Sequence, residues 1–428
     1  MKVAFCSLGC KVNQYETNAM AQKFIEHGYE IAEFDEFADI YIVNTCTVTS
    51  VADRKSRQML RRAKELNSDA IVVACGCYAQ VSADEIEKIQ DVDIIIGNNE
   101  KNDIVEIIEK YNADKHGEEL VSDVMYNEEY VEFGPTTYTE KTRAVIKVQD
   151  GCDRFCTYCL IPFARGHIRS RKIDNVLDEV KKIVADGYKE IVVTGIHIAS
   201  YGRDFKDGTS LIDLLEQING VEGLQRIRIS SIEPIIMTDD FVDRLSKLDK
   251  ICDHFHLSLQ SGCTSTLKRM NRRYTAEEFY DATQRLRAKF PNASLTTDVI
   301  VGFPGETDEE FSETYDFLKK IDFYQMHIFK YSPRKGTKAA VMPNQVDGKI
   351  KEERSKKLID LSKANELEHN KKYIGKVVEV LFEEGEDGIY KGHTKNYMCV
   401  KYKSNENITN KILKVNISKI EGEILIAE

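Results

Sequence analysis

The sequence predicts an α/β protein in three parts, because two separate stretches alternate β-rich runs with helical segments and a third is β-rich throughout. Strand, helix and strand in regular succession are typical of parallel sheets with helices on their faces. We expect a first domain over residues 1–125, a second over 141–365 and a third over 366–428, with a linker at 126–140. The length of 428 residues fits this division, since one domain takes about 150 residues.

The composition is that of a globular protein, with 42% hydrophobic and 31% charged residues. No apolar run approaches the roughly 20 residues that a membrane-spanning helix needs, so no membrane partner is expected. The sequence MKVAFCSLGCKV enters a strand pattern directly, without a secretory signal, and we expect a cytoplasmic protein. The net charge of -11 argues against nucleic acid as a partner, but residues 54–64 carry six basic side chains and no acidic one.

The first domain is predicted to be a doubly wound parallel sheet, whose ligands gather outside the carboxyl ends of the strands. Cys10, Cys46 and Cys77 follow the first, third and fourth predicted strands. In the common strand order 2-1-3-4-5 these strands are neighbours, so the three thiols are expected to meet at one edge. We call them the N-terminal cysteine group. Cys75 lies inside a strand, where a buried hydrophobic role is usual, and is the alternative third member.

The second domain is predicted to be an open, partial (β/α)6 barrel, because six strand candidates alternate with helical segments over residues 141–335. Directly after the first of these strands comes DGCDRFCTYC, with Cys152, Cys156 and Cys159 in a Cx3Cx2C pattern. We call them the barrel cysteine group. Outside the secretory pathway, clustered cysteines usually bind a metal or carry out redox chemistry.

Zinc and iron–sulfur are the two kinds of metal centre weighed for this pattern. A structural zinc site takes four closed ligands, often as two CxxC pairs, and this segment offers three cysteines. His167 as the fourth ligand of a Cys3His site leaves zinc open as an alternative. A [4Fe-4S] cluster fits better, because three thiolates hold three irons and leave the fourth iron free to bind another molecule.

These motifs resemble those of the radical S-adenosylmethionine superfamily, in which Cx3Cx2C with an aromatic residue before the last cysteine follows the first strand of a partial barrel. With the N-terminal cysteine group and a small C-terminal β-domain, the chain is similar to the methylthiotransferase family over essentially its whole length. SLGCKVNQYET, VNTCTVT and GCYAQ resemble the branch that acts on N6-threonylcarbamoyladenosine (t6A) beside the anticodon of tRNA. The isopentenyladenosine branch typically has Gln-Met in place of Lys11-Val12.

The resemblance implies two [4Fe-4S] clusters, one on each cysteine group, and S-adenosyl-L-methionine on the open iron of the barrel cluster. One electron, supplied by reduced flavodoxin or ferredoxin, would cleave this cofactor to a 5′-deoxyadenosyl radical, which removes hydrogen from C2 of the adenine ring. The second cluster would present sulfur, and a second S-adenosyl-L-methionine the methyl group. Because the cofactors carry this chemistry, no residue is assigned as a catalytic acid or base.

The resemblance also implies binding residues on the chain. Those expected to contact S-adenosyl-L-methionine are Tyr158, Thr194, Gly195, Ser231, Glu233 and Gln260. A turn glycine and a polar barrel rim are the plain alternatives for several of them. The segment KGHTKNYMCVKY resembles a TRAM domain, a small RNA-binding β-barrel, although the chain from residue 371 onward has ten lysines against nine acidic residues.

RNA contacts are expected from two parts of the chain. The basic helix after Cys46 offers Arg54, Arg57 and Arg61 for phosphates. In the C-terminal barrel, Tyr390, Tyr397 and Tyr402 are candidates for stacking on bases, unless they are buried tyrosines of a small barrel.

Other functions stay open from the sequence alone. The related branches that modify isopentenyladenosine in tRNA, or an aspartate of a ribosomal protein, share both cysteine groups. A zinc-stabilised RNA-binding protein would also combine clustered cysteines with a β-barrel.

Overall fold

The computed structural model describes residues 1–114, 118–127, 129–134 and 142–428. Its strands are β1 (Lys2–Ser7), β2 (Glu30–Ala32), β3 (Ile40–Thr45), β4 (Ile71–Gly76), β5 (Ile94–Ile96), β6 (Glu118–Leu120), β7 (Arg143–Asp150), β8 (Arg169–Ser170), β9 (Glu190–Gly195), β10 (Arg226–Ile229), β11 (His254–His256), β12 (Ser294–Val301), β13 (Gln325–Lys330), β14 (Val377–Glu386), β15 (Ile389–Thr394), β16 (Cys399–Lys403), β17 (Ile412–Glu421) and β18 (Ile424–Ala427).

The helices follow the same alternation. They are α1 (Lys11–Glu26), α2 (Ser50–Leu66), α3 (Cys77–Val81), α4 (Ala83–Glu87), α5 (Ile104–Asp114), α6 (Ile161–Arg165), α7 (Ile173–Ala185), α8 (Leu211–Asn219), α9 (Asp239–Leu245), α10 (Thr264–Arg269), α11 (Ala276–Lys289), α12 (Asp308–Ile321) and α13 (Gly348–Lys371). Among the described helices, none combines the length and the apolar character that crossing a membrane requires.

The first domain is a six-stranded parallel sheet in the order β2-β1-β3-β4-β5-β6. The predicted neighbourhood of β1, β3 and β4 is confirmed, and β6 is an edge strand that was not predicted. Strands β3 and β4 are buried along their whole length, as their runs of Ile and Val indicate. One hydrophobic cluster joins the sheet to α1 and α5, and another joins its opposite face to α2.

The second domain is the predicted partial barrel. Strands β10-β9-β7 form one parallel sheet and β11-β12-β13 another, and single bridges from Ile227 to Ile251 and from Ile232 to Leu257 link the segments around β10 and β11. The six expected strands are therefore confirmed. The two-residue strand β8, antiparallel to β7, is additional. Helices α7 to α12 cover the outside of the strands over one continuous core.

The C-terminal domain is a closed five-stranded barrel in the order β14-β15-β16-β18-β17, as the short strands predicted. Helix α13 leads into this barrel and continues across the boundary expected between residues 365 and 366. The expected linker at 126–140 lies partly outside the described residues, which omit 128 and 135–140.

Polar contacts hold the domains together at the barrel strands. Helix α1 packs on β7 and β9, and the Tyr15 hydroxyl donates to Glu179 at 3.2 Å. On the C-terminal side, Arg143 binds Glu383 at 3.0 Å. Both the first and the third domain are thus fixed to the same set of central strands.

Candidate active site

The N-terminal cysteine group assembles at one edge of the first sheet. Cys10 is the residue before α1, Cys46 follows β3, and Cys77 begins α3 directly after β4. Burial raises the pKa of Cys46 to about 12, and the neighbouring Cys77 and Cys10 add to this rise. Burial also raises the pKa of Cys10, with Arg165 opposing and Cys77 reinforcing the shift. The three thiols therefore lie within electrostatic range of one another.

A glycine allows this close approach. Gly9 has a φ of +95°, and a Cβ placed on it would lie 2.6 Å from the sulfur of Cys46. A side chain at this position would be strained in its backbone and would collide with the thiol. The turn between β1 and α1 thus needs glycine so that Cys10 and Cys46 can share one site.

Cys75 lies in the buried interior of β4, within electrostatic range of Cys77. Its side chain belongs to the hydrophobic cluster under α1, and its sulfur donates to the carbonyl oxygen of Val43 at 3.7 Å. Burial raises the pKa of Cys75 to about 12. These contacts are those of a small core residue.

A group of buried charges surrounds Cys77. The Nε atom of Arg165 donates to the sulfur of Cys77 at 3.3 Å, and the same guanidinium binds Glu16. Glu16 also binds Lys147 at 2.8 Å and Lys101 at 2.5 Å. The three cations, Arg165 foremost, hold the pKa of Glu16 well below its usual value despite burial. The network therefore sets permanent positive charge beside the thiols.

The barrel cysteine group lies in the loop after β7. Burial raises the pKa of Cys152 to about 11 and that of Cys159 to about 12, and Cys156 raises both further. The Nη1 atom of Arg272 lies 3.5 Å from the sulfur of Cys156, and the backbone N–H of Ile161 donates to Cys159 at 3.4 Å. These three thiols are also neighbours, and a guanidinium again faces them.

Glu233 is the centre of a polar cluster beside the barrel cysteine group. It binds Arg154, lies 3.4 Å from a nitrogen of Arg272, and pairs with Nε2 of His197 at 3.2 Å. Although burial opposes the change, His197 and the two arginines lower the pKa of Glu233 to about 2. The carboxylate is therefore ionised and fixed in place.

The other predicted cofactor residues lie along the same ends of the barrel strands. Thr194 and Gly195 end β9, and a Cβ on Gly195 would meet a methyl group of Ile198 at 2.7 Å. Gln260 has a φ of 72° and bridges to Val299 of β12. Ser231 is exposed after β10. Close packing against Ile198 thus requires a glycine at position 195.

Tyr158 and His167 have well-defined contacts. The ring of Tyr158 packs edge-on against Phe303, with 6.3 Å between the ring centroids. Nδ1 of His167 lies 2.6 Å from a carboxylate oxygen of Asp153, so this ring nitrogen is paired with an acid.

The predicted RNA residues differ in their surroundings. Arg54 and Arg61 are exposed on α2. Arg57 donates to the Tyr78 hydroxyl at 2.7 Å and is half-buried. The first two are therefore better placed than the third to meet a phosphate.

The three tyrosines of the C-terminal barrel are all engaged by protein. Tyr390 and Tyr402 pack against the barrel core. Tyr397 stacks between His254 and His393, with ring centroids 4.6 and 4.7 Å apart. The ring of Tyr397 thus contacts both the central barrel and the C-terminal barrel.

Sequence reasoning missed the buried charges at the site. Arg165, Glu16 and Lys147 are ordinary surface types by composition, and their burial arises only when the first two domains meet. A weak signal was present for Arg165, which follows the barrel cysteine group closely in the chain.

Two known families match the chain. Residues 146–318 match the Radical SAM superfamily, and residues 2–97 match the uncharacterized protein family UPF0004. Among solved structures, the radical S-adenosylmethionine methyltransferase TsrM from Kitasatospora setae resembles the chain with a TM-score of 0.58 at 15% identity, covering 79% of this chain and 74% of TsrM. Fold and matched regions together define a radical SAM enzyme.

Proteins similar in sequence indicate the family of radical SAM enzymes to which the chain belongs. The chain is 46% identical to the threonylcarbamoyladenosine tRNA methylthiotransferase MtaB of Bacillus subtilis, covering 97% of this chain and 94% of the relative. It is 34% identical, with the same coverage, to the tRNA-2-methylthio-N(6)-dimethylallyladenosine synthase of Clostridium tetani. The chain belongs to the methylthiotransferase family of radical SAM enzymes, whose cofactors are S-adenosyl-L-methionine and [4Fe-4S] clusters.

Proposed function

We propose that this chain is a tRNA methylthiotransferase that converts t6A next to the anticodon into its 2-methylthio derivative. The observation that carries the proposal is that Arg165, which closely follows the barrel cysteine group, contacts Cys77 of the N-terminal cysteine group across the domain interface, in a chain 46% identical to an enzyme named for this reaction. Ligand sites favour such interfaces. The lower identity of 34% to the dimethylallyladenosine synthase favours t6A over isopentenyladenosine.

Each cysteine group fits a [4Fe-4S] cluster with one open iron. Three thiols lie together in each group, and a buried guanidinium faces each: Arg165 at Cys77 and Arg272 at Cys156. Positive charge favours thiolate over thiol and compensates the negative charge of a thiolate-bound cluster. We assign Cys10, Cys46 and Cys77 to one cluster, and Cys152, Cys156 and Cys159 to the other.

When bound, the clusters and S-adenosyl-L-methionine supply the radical, the sulfur and the methyl group that a C–H bond of adenine needs. The residues of the chain hold the cofactor in position. Glu233, held ionised by Arg154 and Arg272, offers a fixed carboxylate at the strand ends. Gly195 keeps the wall beside β9 free of a side chain. Thr194, Ser231, Gln260 and Tyr158 complete the proposed cofactor wall.

The remaining partners follow from the same proposal. Arg54 and Arg61 on α2, and more weakly Arg57, would contact the phosphates of the anticodon stem-loop. The reducing electron would come from reduced flavodoxin or ferredoxin. The reaction would take place in the cytoplasm, where its tRNA substrate is found.

Analysis of tRNA nucleosides by mass spectrometry tests the proposal. In a strain without the gene, we expect loss of 2-methylthio-t6A and accumulation of t6A. Restoring the wild-type gene should reverse this, and restoring Cys156→Ala should not. Persistence of 2-methylthio-t6A in the deletion strain, or loss of the methylthio group from isopentenyladenosine instead, would contradict the proposed substrate.

A further inference from the structure

The inner wall of the central barrel carries a polar cluster that the reaction chemistry leaves unexplained. In β12, Leu295, Val299 and Val301 belong to the core under the outer helices. Because side chains alternate along a strand, Thr296 and Asp298 face the barrel interior. The same alternation directs His256 and His327 inward, since their neighbours Phe255, Met326 and Ile328 are part of the outer core or pack on it.

Hydrogen bonds order this cluster. Nδ1 of His256 lies 3.0 Å from the Thr296 hydroxyl, and Nε2 lies 3.2 Å from a carboxylate oxygen of Asp298. The ring of His327 stacks on that of His256, with centroids 5.7 Å apart. His256 is partly buried, with both ring nitrogens facing protein oxygens, whereas His327 is exposed. The ring of His327 is therefore the part of the pair that is open to a ligand.

Lys11 adds a positive charge to this space from another domain. It is the first residue of α1, which packs against β7 and β9 of the barrel. Its ammonium lies within electrostatic range of His254 and His327 of the inner wall. In the part of the chain that the structure describes, no carboxylate lies within ion-pair distance of this ammonium. Lys11 is an exposed residue, although desolvation and the neighbouring Arg143 and Arg228 lower the pKa of its ammonium.

The position of Lys11 is unfavourable for the helix itself. A cation in the first turn opposes the helix dipole, and the first turn of α1 contains no acidic residue. The two other cations nearby are already paired: Arg143 with Glu383 at 3.0 Å and Arg228 with Glu190 at 2.9 Å. Lys11 is thus the uncompensated charge that faces the barrel interior.

We propose that Lys11, together with His327, binds the carboxylate of the threonylcarbamoyl substituent, an inference that rests on the proposed function. This substituent is an anion with a hydroxyl group, whereas the dimethylallyl group is uncharged and apolar. In adenine, C2 and the carbon that bears N6 both flank N1, so the substituent and C2 share one edge of the base. Because Lys11 follows Cys10 directly, a carboxylate held by Lys11 keeps C2 near the N-terminal cysteine group.

A divalent cation is the competing occupant. One atom each of His256, Asp298 and His327 lies within 4.8 Å of the others, which is the spacing of a metal site. The ammonium of Lys11, which has no carboxylate partner among the described residues, lies within electrostatic range of His327 and disfavours a cation there. A carboxylate satisfies this charge, so it is the better fit.

The test uses anaerobic, fully loaded enzyme and three synthetic anticodon stem-loops, which carry t6A, its carboxamide analogue or plain adenosine. We expect wild type to bind the t6A stem-loop roughly tenfold or more tightly than the carboxamide, because one charge-assisted contact is lost. Lys11→Gln should bind both equally, and Lys11→Arg should keep most of the preference. Lys349→Gln, which removes an exposed lysine from the first turn of α13, should behave as wild type.

Iron content and S-adenosyl-L-methionine cleavage are measured on each variant, because Lys11 adjoins Cys10. A preference for t6A that survives Lys11→Gln at full iron content would overturn the proposal, even where methylthiolation of t6A proceeds. Conversely, wild type that does not methylthiolate t6A but distinguishes it from the carboxamide through Lys11 would refute the proposed reaction. The same result would support the proposed binding of the carboxylate. Stoichiometric Zn²⁺ that is lost in His256→Ala would identify a metal site and overturn the carboxylate assignment.

Discussion

Arg165 of the central barrel domain donates from Nε to the sulfur of Cys77 in the first domain, at 3.3 Å. This arginine ends the short helix α6, which follows the barrel cysteine group, and it is fully buried. A single segment therefore connects the two cysteine groups. Residues of two domains therefore surround the N-terminal cysteine group, and the first sheet alone does not complete this site.

Replacing Arg165 with Gln should destabilise the protein and abolish the binding of iron by the N-terminal cysteine group. The change leaves Glu16 with fewer partners and removes the cation beside Cys77, and breaking such a buried ion pair costs about 3–5 kcal/mol. Iron analysis and thermal unfolding measure both effects. Arg285→Gln, at a half-exposed arginine of α11, is the control and should keep the iron content of wild type. Full iron content in Arg165→Gln would refute the role of this contact.

Cys75 and Cys77 should respond differently to replacement by Ala. Cys77→Ala removes a proposed cluster ligand, and we expect about half of the iron to be lost. Cys75→Ala removes only a buried sulfur in β4, at a cost of about 1 kcal/mol, with iron retained. Iron content and the visible absorption of the anaerobic proteins decide between them. The reverse pattern would make Cys75 the third ligand.

The double variant Arg54→Gln and Arg61→Gln should weaken the binding of tRNA without loss of iron. Each phosphate contact that is lost should reduce the slope of log K against log salt by roughly 0.7–0.9. Fluorescence anisotropy at several salt concentrations gives this slope. The matched control is Arg62→Gln, because Arg62 lies on the same helix beside Asp35 at 3.8 Å and Glu65 at 3.6 Å. An unchanged slope in the double variant would show that Arg54 and Arg61 do not contact the phosphates of the RNA.

Tyr397→Ala should loosen the C-terminal barrel from the central barrel. The ring stacks on His254 and His393 and lies 4.7 Å from the guanidinium carbon of Arg228, so its removal should cost about 2 kcal/mol. Tyr397→Phe keeps the ring and should remain close to wild type. Limited proteolysis near α13 and thermal unfolding report the change. Equal behaviour of the two variants would show that ring stacking does not hold this interface.

The sequence predicted the arrangement of strands well, since runs of Ile and Val mark β3, β4 and β9 and the intervening helices fix a parallel order. That order was enough to place Cys10, Cys46 and Cys77 near one another. The buried charges could not be predicted. Arg165 meets Glu16 only because α1 packs across β7, and a linear pattern does not specify which surface side chains a domain interface will cover.

The tyrosines of the C-terminal barrel illustrate the same limit. Tyr397 is located in a segment that resembles an RNA-binding module, yet its ring is sandwiched by histidines of two domains. Its left-handed backbone, with a φ of 69°, is needed for that insertion. Turn conformations of this kind depend on tertiary contacts, which residue type alone does not encode.

The presence of two clusters can be measured by anaerobic Mössbauer spectroscopy of the protein. Two [4Fe-4S] clusters predict about eight iron atoms per chain, each cluster with one iron that lacks a cysteine ligand. Combined replacement of Cys10, Cys46 and Cys77 by Ala should leave one cluster and about half of the iron. A single cluster in the wild-type protein, or zinc in either cysteine group, would contradict the assignment of one [4Fe-4S] cluster to each group.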